Sequence, residues 1–264
     1  MPEIIKINDN IHKINLPYKD IFTTVCSVKT SLGVLIFDAA SFEGDTKNYI
    51  SPMLDELKIK PDEVKYIFIS HNHKDHAGDL KNLLSVVPNA TVLSRSAELK
   101  EKYSDFNVVC PNDGDSILNV LKIVTIPGHT QDSMAILDTR TNTLLTGDSL
   151  QVYGIFGSED WGSNICMPAE HLEAIKKVRA LNVSAIYTAH YYHPCGVKAV
   201  GADEVNFLLD SCIEPIERVK KLVLENPSKS VEEIRLIYNS NKKVPPINGR
   251  LIEGTVKAIE EKRM

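Results

Sequence analysis

The sequence predicts an α/β fold, on two kinds of observation. Short apolar runs of strand length recur along the chain, and helical apolar patterns alternate with them. Polar residues with metal or acid–base chemistry stand just beyond the ends of several runs, where rigid α/β scaffolds hold their sites. With 264 residues, 43% of them hydrophobic, the chain can bury a large core.

The elements follow in order. Strands are expected over residues 4–7 and 11–16, separated by the turn-like Asn8-Asp9-Asn10. Two more, over 22–28 and 33–38, are separated by a turn ending in Gly33. A helix over about 46–57 comes next. The run Tyr66-Ile67-Phe68-Ile69, ending at Ser70, reads as a buried strand, and Leu80, Leu83, Leu84 and Val87 as a helix stopped by Pro88. A second α/β half carries strands over 121–126, 134–137, 143–145 and 183–189. Its helix starts at Pro168, a good first-turn residue, and buries Leu172, Ile175 and Val178. Past Gly201 the pattern turns helical. One long helix spans 203–224 with Pro215 as a kink or break, Ser230-Val231-Glu232-Glu233 opens a short one as a capping box, and a last one covers 251–262. The division expected is therefore residues 1–200 and a helical extension over 201–264.

The densest group of ligand-type residues is His71-Asn72-His73-Lys74-Asp75-His76, between the predicted strand and helix. Imidazole suits zinc and other borderline metals, and the carboxylate adds charge. In an extended loop alternate side chains point the same way, so His71 and His73 can share one metal. Asp75 and His76, beyond the turn, can face a second about 3.5–4 Å away, the usual spacing of two-metal hydrolytic sites. His129 in Pro127-Gly128-His129-Thr130, Asp148 in Gly147-Asp148-Ser149, and His190 each follow an apolar run. Together they make five histidines and two aspartates, enough for two metals and a bridging water.

With this set the chain resembles the metallo-β-lactamase-fold hydrolase superfamily over about residues 1–200. The resemblance rests on the His-x-His-x-Asp-His signature from His71 to His76, the Pro-Gly-His-Thr segment, the Thr-Gly-Asp segment and His190. It implies a four-layer αββα sandwich with metals at one end. It implies one metal on His71, His73 and His129, a second on Asp75, His76 and His190, and Asp148 bridging them. Asp38 matches the family's early strand-end aspartate. Ala39-Ala40 follow where a small residue and Gly are usual, so Asp38 is read as supporting the ligands or the structure. His193, three residues past His190, is read as lying outside the ligand set.

The resemblance further implies a hydrolase of a small ester, thioester, lactone or related bond, with two divalent ions, zinc first and iron or manganese as alternatives. Such ions lower the pKa of a shared water to about 7, giving a bridging hydroxide. Asp75 would orient that water and accept its proton. Tyr191 or Tyr192 would donate a hydrogen bond to the reacting carbonyl or leaving group, and strand alternation would send the other into the core. A single-iron persulfide dioxygenase-like oxidoreductase and a phosphodiesterase are the alternatives. Ala77-Gly78 and Tyr191 stand where glyoxalase-II-like thioesterases usually carry two glycines and Glu. The fold alone does not name a substrate.

The remaining features set the context. Net charge is −5 without a dense basic run, which gives no reason to expect nucleic acid as partner. Cys26, Cys110, Cys166, Cys195 and Cys212 are scattered and odd in number, so a reducing cytoplasm is the simpler expectation. The start of the chain reads as neither signal peptide nor membrane span. A small-molecule substrate is the expected partner, and a homodimer is left open. The segment 149–162, with Tyr153, Phe156, Trp161 and three glycines, reads equally as a mobile pocket wall or as a loop packed on the sheet edge.

Overall fold

The computed structural model describes residues 3–155, 161–241 and 243–264. The reading of the first two residues, and that part of the 149–162 reading which falls on 156–160, lie outside the described residues. The chain divides into two compact units, Met1–Val124 with Ile136–Thr139, and Thr125–Ala135 with Arg140–Met264.

The first unit is built on a seven-stranded sheet in sequence order. It runs β1 (Ile4–Lys6), β2 (Ile11–Tyr18), β3 (Ile21–Thr30), β4 (Gly33–Phe37), β5 (Val64–Phe68), β6 (Thr91–Leu93) and β7 (Val108–Val109). The first four pair antiparallel across tight turns. In the first turn, Asn8 accepts hydrogen bonds from the Asn10 and Ile11 amides through its side-chain oxygen. From β4 onward the pairs are parallel, and parallel neighbours need crossovers. These are a π-helical turn (Thr46–Ile50) leading into α1 (Ser51–Glu56), then α2 (Lys74–Ala77) with α3 (Leu80–Val86), then α4 (Ala97–Lys102).

Period-two alternation sends Val34 and Ile36 of β4 into one core with Ile67 of β5, Met53 and Leu54 of α1, and Leu80, Leu83 and Leu84 of α3. The intervening Leu35 and Phe37 are buried as well, so β4 is covered on both faces, as parallel-sheet strands are. The helix expected over 46–57 is real but opens as a π-turn.

A second sheet has the order β13-β12-β11-β10-β9-β8. Its strands are β8 (Ser116–Ile117), β9 (Leu121–Thr125), β10 (Met134–Asp138), β11 (Thr143–Leu145), β12 (Ala185–Tyr192) and β13 (Gly196–Val200), and the division between units falls within β9 and β10. In the second unit β11 pairs parallel with β12, the crossover being α5 (Pro168–Leu181), and β12 pairs antiparallel with β13. Ile175 and Val178 of α5 are buried, while Leu172 is only half-buried, packed on the edge of the helical core.

Three helices follow: α6 (Ala202–Glu225), α7 (Val231–Asn239) and α8 (Arg250–Glu260). Pro215 is buried within α6 and does not end it. The expected capping box opens α7: Ser230 Oγ accepts from the Glu233 amide, and Glu233 accepts from the Ser230 amide. Ile216, Val219, Ile234, Tyr238, Leu251 and Ile252 close a helical core within this unit. Among the described residues no helix is long and apolar enough to cross a membrane.

Candidate metal-ligand clusters

In the first unit the signature leaves β5 as an extended loop and turns into α2 at Lys74. His71 and His73 do point the same way: His71 Nε2 lies 2.9 Å from His73 Nδ1. The ring centroids of His71 and His76 are 4.3 Å apart, and His76 Nε2 is 3.3 Å from Asp75 Oδ2. His71, Asp75 and His76 are buried and His73 is half-buried. The four-residue helix α2 was not expected, being too short to carry a periodic pattern. Gly78, just past it, is tightly confined. A Cβ there would lie 2.0 Å from the Ser41 carbonyl oxygen.

Asp38 organises these imidazoles. Its Oδ1 accepts from the Ser70 amide at 2.8 Å, and its Oδ2 accepts from His76 Nδ1 at 2.7 Å and from Ser70 Oγ at 3.1 Å. Having given its one proton to Asp38, the Ser70 hydroxyl accepts from His71 Nδ1, 3.1 Å away. Both His71 and His76 therefore carry the proton on Nδ1 and present Nε2 as the ligating atom. Burial pushes the Asp38 carboxyl above its ordinary pKa, against the neighbouring His76 and the Ser70 hydrogen bonds, which hold it down. Its backbone is left-handed, with φ +65°.

In the second unit three predicted ligands sit together. Asp148 Oδ2 is 3.7 Å from His129 Nε2, and Asp148 Oδ1 is 3.1 Å from His190 Nε2. All three are buried. His129 Nδ1 donates to the Asn164 carbonyl at 2.6 Å, which again leaves Nε2 as the ligating atom. Gly128 ahead of it has φ +150°, and a Cβ there would meet His171 Nδ1 at 2.6 Å. His171 itself is fully buried, and burial, then the neighbouring His129, pushes its pKa down to about 3.

His190 does not follow its strand but lies inside it. The strand expected to end at Ala189 continues to Tyr192, because β13, too exposed to show alternation, pairs with it. His193 is half-buried, with its ring 6.2 Å from that of Tyr153. Alternation does separate the two tyrosines. Tyr191 is 61% exposed, whereas Tyr192 is buried, sets its ring edge-on to His190 at 5.8 Å, and accepts from Gln151 Nε2 at 3.0 Å. In the described part of the 149–162 segment, Leu150, Gln151 and Val152 are packed into the interior. The thiols Cys166 and Cys195 are both raised by burial, opposed by Arg250 and by Ser211 respectively, so neither is primed as a thiolate.

The donor chemistry in each unit fits divalent metal: His71 and His76 in the first and His129 in the second have Nδ1 against oxygen, and Asp75 and Asp148 stand within a few ångströms of presented nitrogens. Ser70, Gln151, Asn164 and His171 were not singled out in the sequence, because their parts are set by partners distant along the chain.

The sequence profile of the metallo-beta-lactamase superfamily matches residues 24–190. The chain is similar to an atrochrysone carboxyl ACP thioesterase from Emericella nidulans, 26% identical over 136 residues, which are 51% of this chain and 41% of that one. It is also similar to a hydroxyacylglutathione hydrolase from Prochlorococcus marinus, 24% identical over 193 residues, 69% of this chain and 74% of that one. The match thus spans less than half of the thioesterase's length. Among solved structures, a flavo di-iron protein mutant from Thermotoga maritima superposes with a TM-score of 0.63 at 17% identity, covering 83% of this chain and 64% of that one. That likeness is one of fold.

Proposed function

The chain belongs to the metallo-beta-lactamase superfamily, and from that premise we propose that it is a dinuclear metal-dependent hydrolase of a small ester, thioester or lactone. The single observation that carries the reading is the common posture of His71, His76 and His129. Each has Nδ1 against an oxygen and offers Nε2, the arrangement that fixes an imidazole for a metal. In this reading His71, His73 and His129 would hold one ion and Asp75, His76 and His190 the other, with Asp148 available to both. Two of the relatives, a thioesterase and a hydroxyacylglutathione hydrolase by name, support acyl transfer to water as the reaction class.

The bound ions would supply a water ionised near neutral pH and a Lewis acid for the developing oxyanion. The chain's own residues do the rest. Asp75, beside His76, orients the attacking water and takes its proton. Asp38 holds the His76 ring directly at Nδ1, and holds the His71 ring through the Ser70 hydroxyl, so that neither can rotate away.

Metal analysis tests this. After reconstitution with zinc, or with iron under anaerobic conditions, the protein should hold close to two equivalents. A firm plateau at one equivalent of iron would favour a single-iron oxidoreductase instead. The metal-quantified protein should then be offered lactones, thioesters, phosphodiesters and β-lactams, with turnover expected on the first two. Asp148→Ala should weaken both sites, and His193→Ala should leave the metal content intact. The opposite result for His193 would move the last ligand.

A further inference from the structure

Gln151 is almost completely buried, three residues past Asp148, and nothing in its sequence neighbourhood marks it. Its side chain is spent entirely on the surroundings of the second unit's ligands. Nε2 donates to the Asp148 carbonyl at 3.1 Å and to Tyr192 Oη at 3.0 Å. Oε1 accepts from the Asn164 amide at 3.1 Å. Asn164 is the residue whose carbonyl takes the His129 Nδ1 proton at 2.6 Å, and Tyr192 is the ring set edge-on to His190. One amide therefore reaches all three ligand positions, which the sequence brings in from separate places: 129 and 148 lie beyond the ends of β9 and β11, and 190 lies within β12.

We infer that Gln151 is the positioning residue of the metal centre: its carboxamide fixes the His129 tautomer through Asn164 while anchoring the Asp148 backbone and the Tyr192 ring beside His190. The chemistry requires an amide in this place. The site needs two donated bonds and one accepted bond along a single planar group, and glutamine supplies both donors and the acceptor. Glutamate would have no proton for the Asp148 carbonyl, and a hydrocarbon would leave the Asn164 amide and Tyr192 Oη without this partner in the interior. A metal-ligating imidazole depends on the group at its other nitrogen, and losing such partners typically weakens metal binding by about 10- to 100-fold.

This inference rests on the metal reading above, and the experiment separates the two. Wild type, Gln151→Met and Tyr192→Phe are prepared metal-free, their thermal midpoints recorded, and zinc affinity measured by chelator competition. The cobalt(II) absorption spectrum is taken for each, because it reports ligand geometry. Gln151→Met should bind zinc about 10- to 100-fold more weakly and show a shifted cobalt spectrum. Tyr192→Phe removes the hydroxyl that accepts from Gln151 and leaves the carboxamide's other bonds, and should bind about 2- to 10-fold more weakly. It also covers the case in which Gln151→Met does not fold. If both variants lose thermal stability but keep wild-type affinity and spectrum, Gln151 is merely structural and the inference is overturned. A wild type that binds no zinc or cobalt would instead bring down the metal reading itself.

Discussion

Asp38 and His76 are joined by a 2.7 Å hydrogen bond between Oδ2 and Nδ1, with both side chains fully buried. A carboxylate in that position fixes which imidazole nitrogen carries the proton and raises the basicity of the other. Asp38→Asn preserves shape but removes the charge and one acceptor oxygen. Zinc affinity should fall by about 10- to 100-fold, and the weaker of the two proposed sites should empty first in a chelator titration. An unchanged titration would mean that the Asp38 contact serves folding alone.

Gly78 should tolerate no side chain. A Cβ would stand 2.0 Å from the Ser41 carbonyl oxygen and 2.4 Å from that of Lys74, both backbone atoms that cannot swing aside. Gly201 offers a control: it has φ +85° but nothing within 4 Å of its Cβ position. Gly201→Ala should cost only the strain of that backbone, φ +85° with ψ 163°, about 1–3 kcal/mol. Gly78→Ala should cost about 3 kcal/mol or more in urea unfolding of the metal-free protein, at the upper end of overpacking effects. Equal costs would show that the loop between Ser41 and Gly78 yields readily.

The parts of this molecule that could be read in advance are those whose cause is local. The continuous apolar run Val34-Leu35-Ile36-Phe37, the apolar face of Leu80, Leu83 and Leu84, and the Ser230–Glu233 box each arise from neighbours a few residues apart. The grouping of His71, His73, Asp75 and His76 was readable too, since they stand within six residues and the fold keeps their side chains together. Two things escaped. Strands of two or three residues, such as β6 to β8, are too short for a period to show. Side chains whose partners lie 13 to 41 residues away, as for Gln151 with Asn164 and Tyr192, look like ordinary loop residues until the chain is folded. The place of His190 shows the same limit: its strand runs on because a separate edge strand, β13, pairs with it.

Tyr238 gives a prediction about alkaline stability. Its ring lies in the helical core under the Arg218 guanidinium, and its hydroxyl has no hydrogen-bond partner among the described residues. Burial first of all raises its pKa from 10.0 to about 12. The folded state therefore keeps the proton over a pH range in which the unfolded chain has lost it. This contribution is complete below pH 10 and is lost as pH rises towards 12, at up to about 1.4 kcal/mol per unit. Tyr238→Phe lacks it and gives up no hydrogen bond. Its stability at pH 7 should match wild type or exceed it by up to about 1 kcal/mol. Above pH 10 its unfolding free energy should fall less steeply than that of wild type. Cys26, raised to about 12 by burial, acts in the same window in both proteins, so only the difference between them is diagnostic. Parallel curves above pH 10 would refute the assignment.

The last prediction decides which group attacks the substrate. Asp75 is buried, its carboxylate 3.3 Å from His76 Nε2, and its backbone carbonyl accepts from Thr23 Oγ1 at 3.1 Å, so the residue is held from both ends. Asp75→Asn keeps that framework but lacks the charge proposed to orient a water and receive its proton. The lost interaction grows in the transition state, so kcat should fall by about 100-fold or more while KM changes little. The rival nucleophiles are Cys166 and Cys195, and burial raises both thiols away from the reactive thiolate. Cys166→Ala and Cys195→Ala should each retain nearly full activity. All three variants should be compared at matched metal occupancy, on whichever lactone or thioester the panel identifies, because Asp75 is also a proposed ligand and a loss of metal would mimic a loss of chemistry. A fully active Asp75→Asn protein, or an acyl group trapped on either cysteine during turnover, would rule out attack by water at this site.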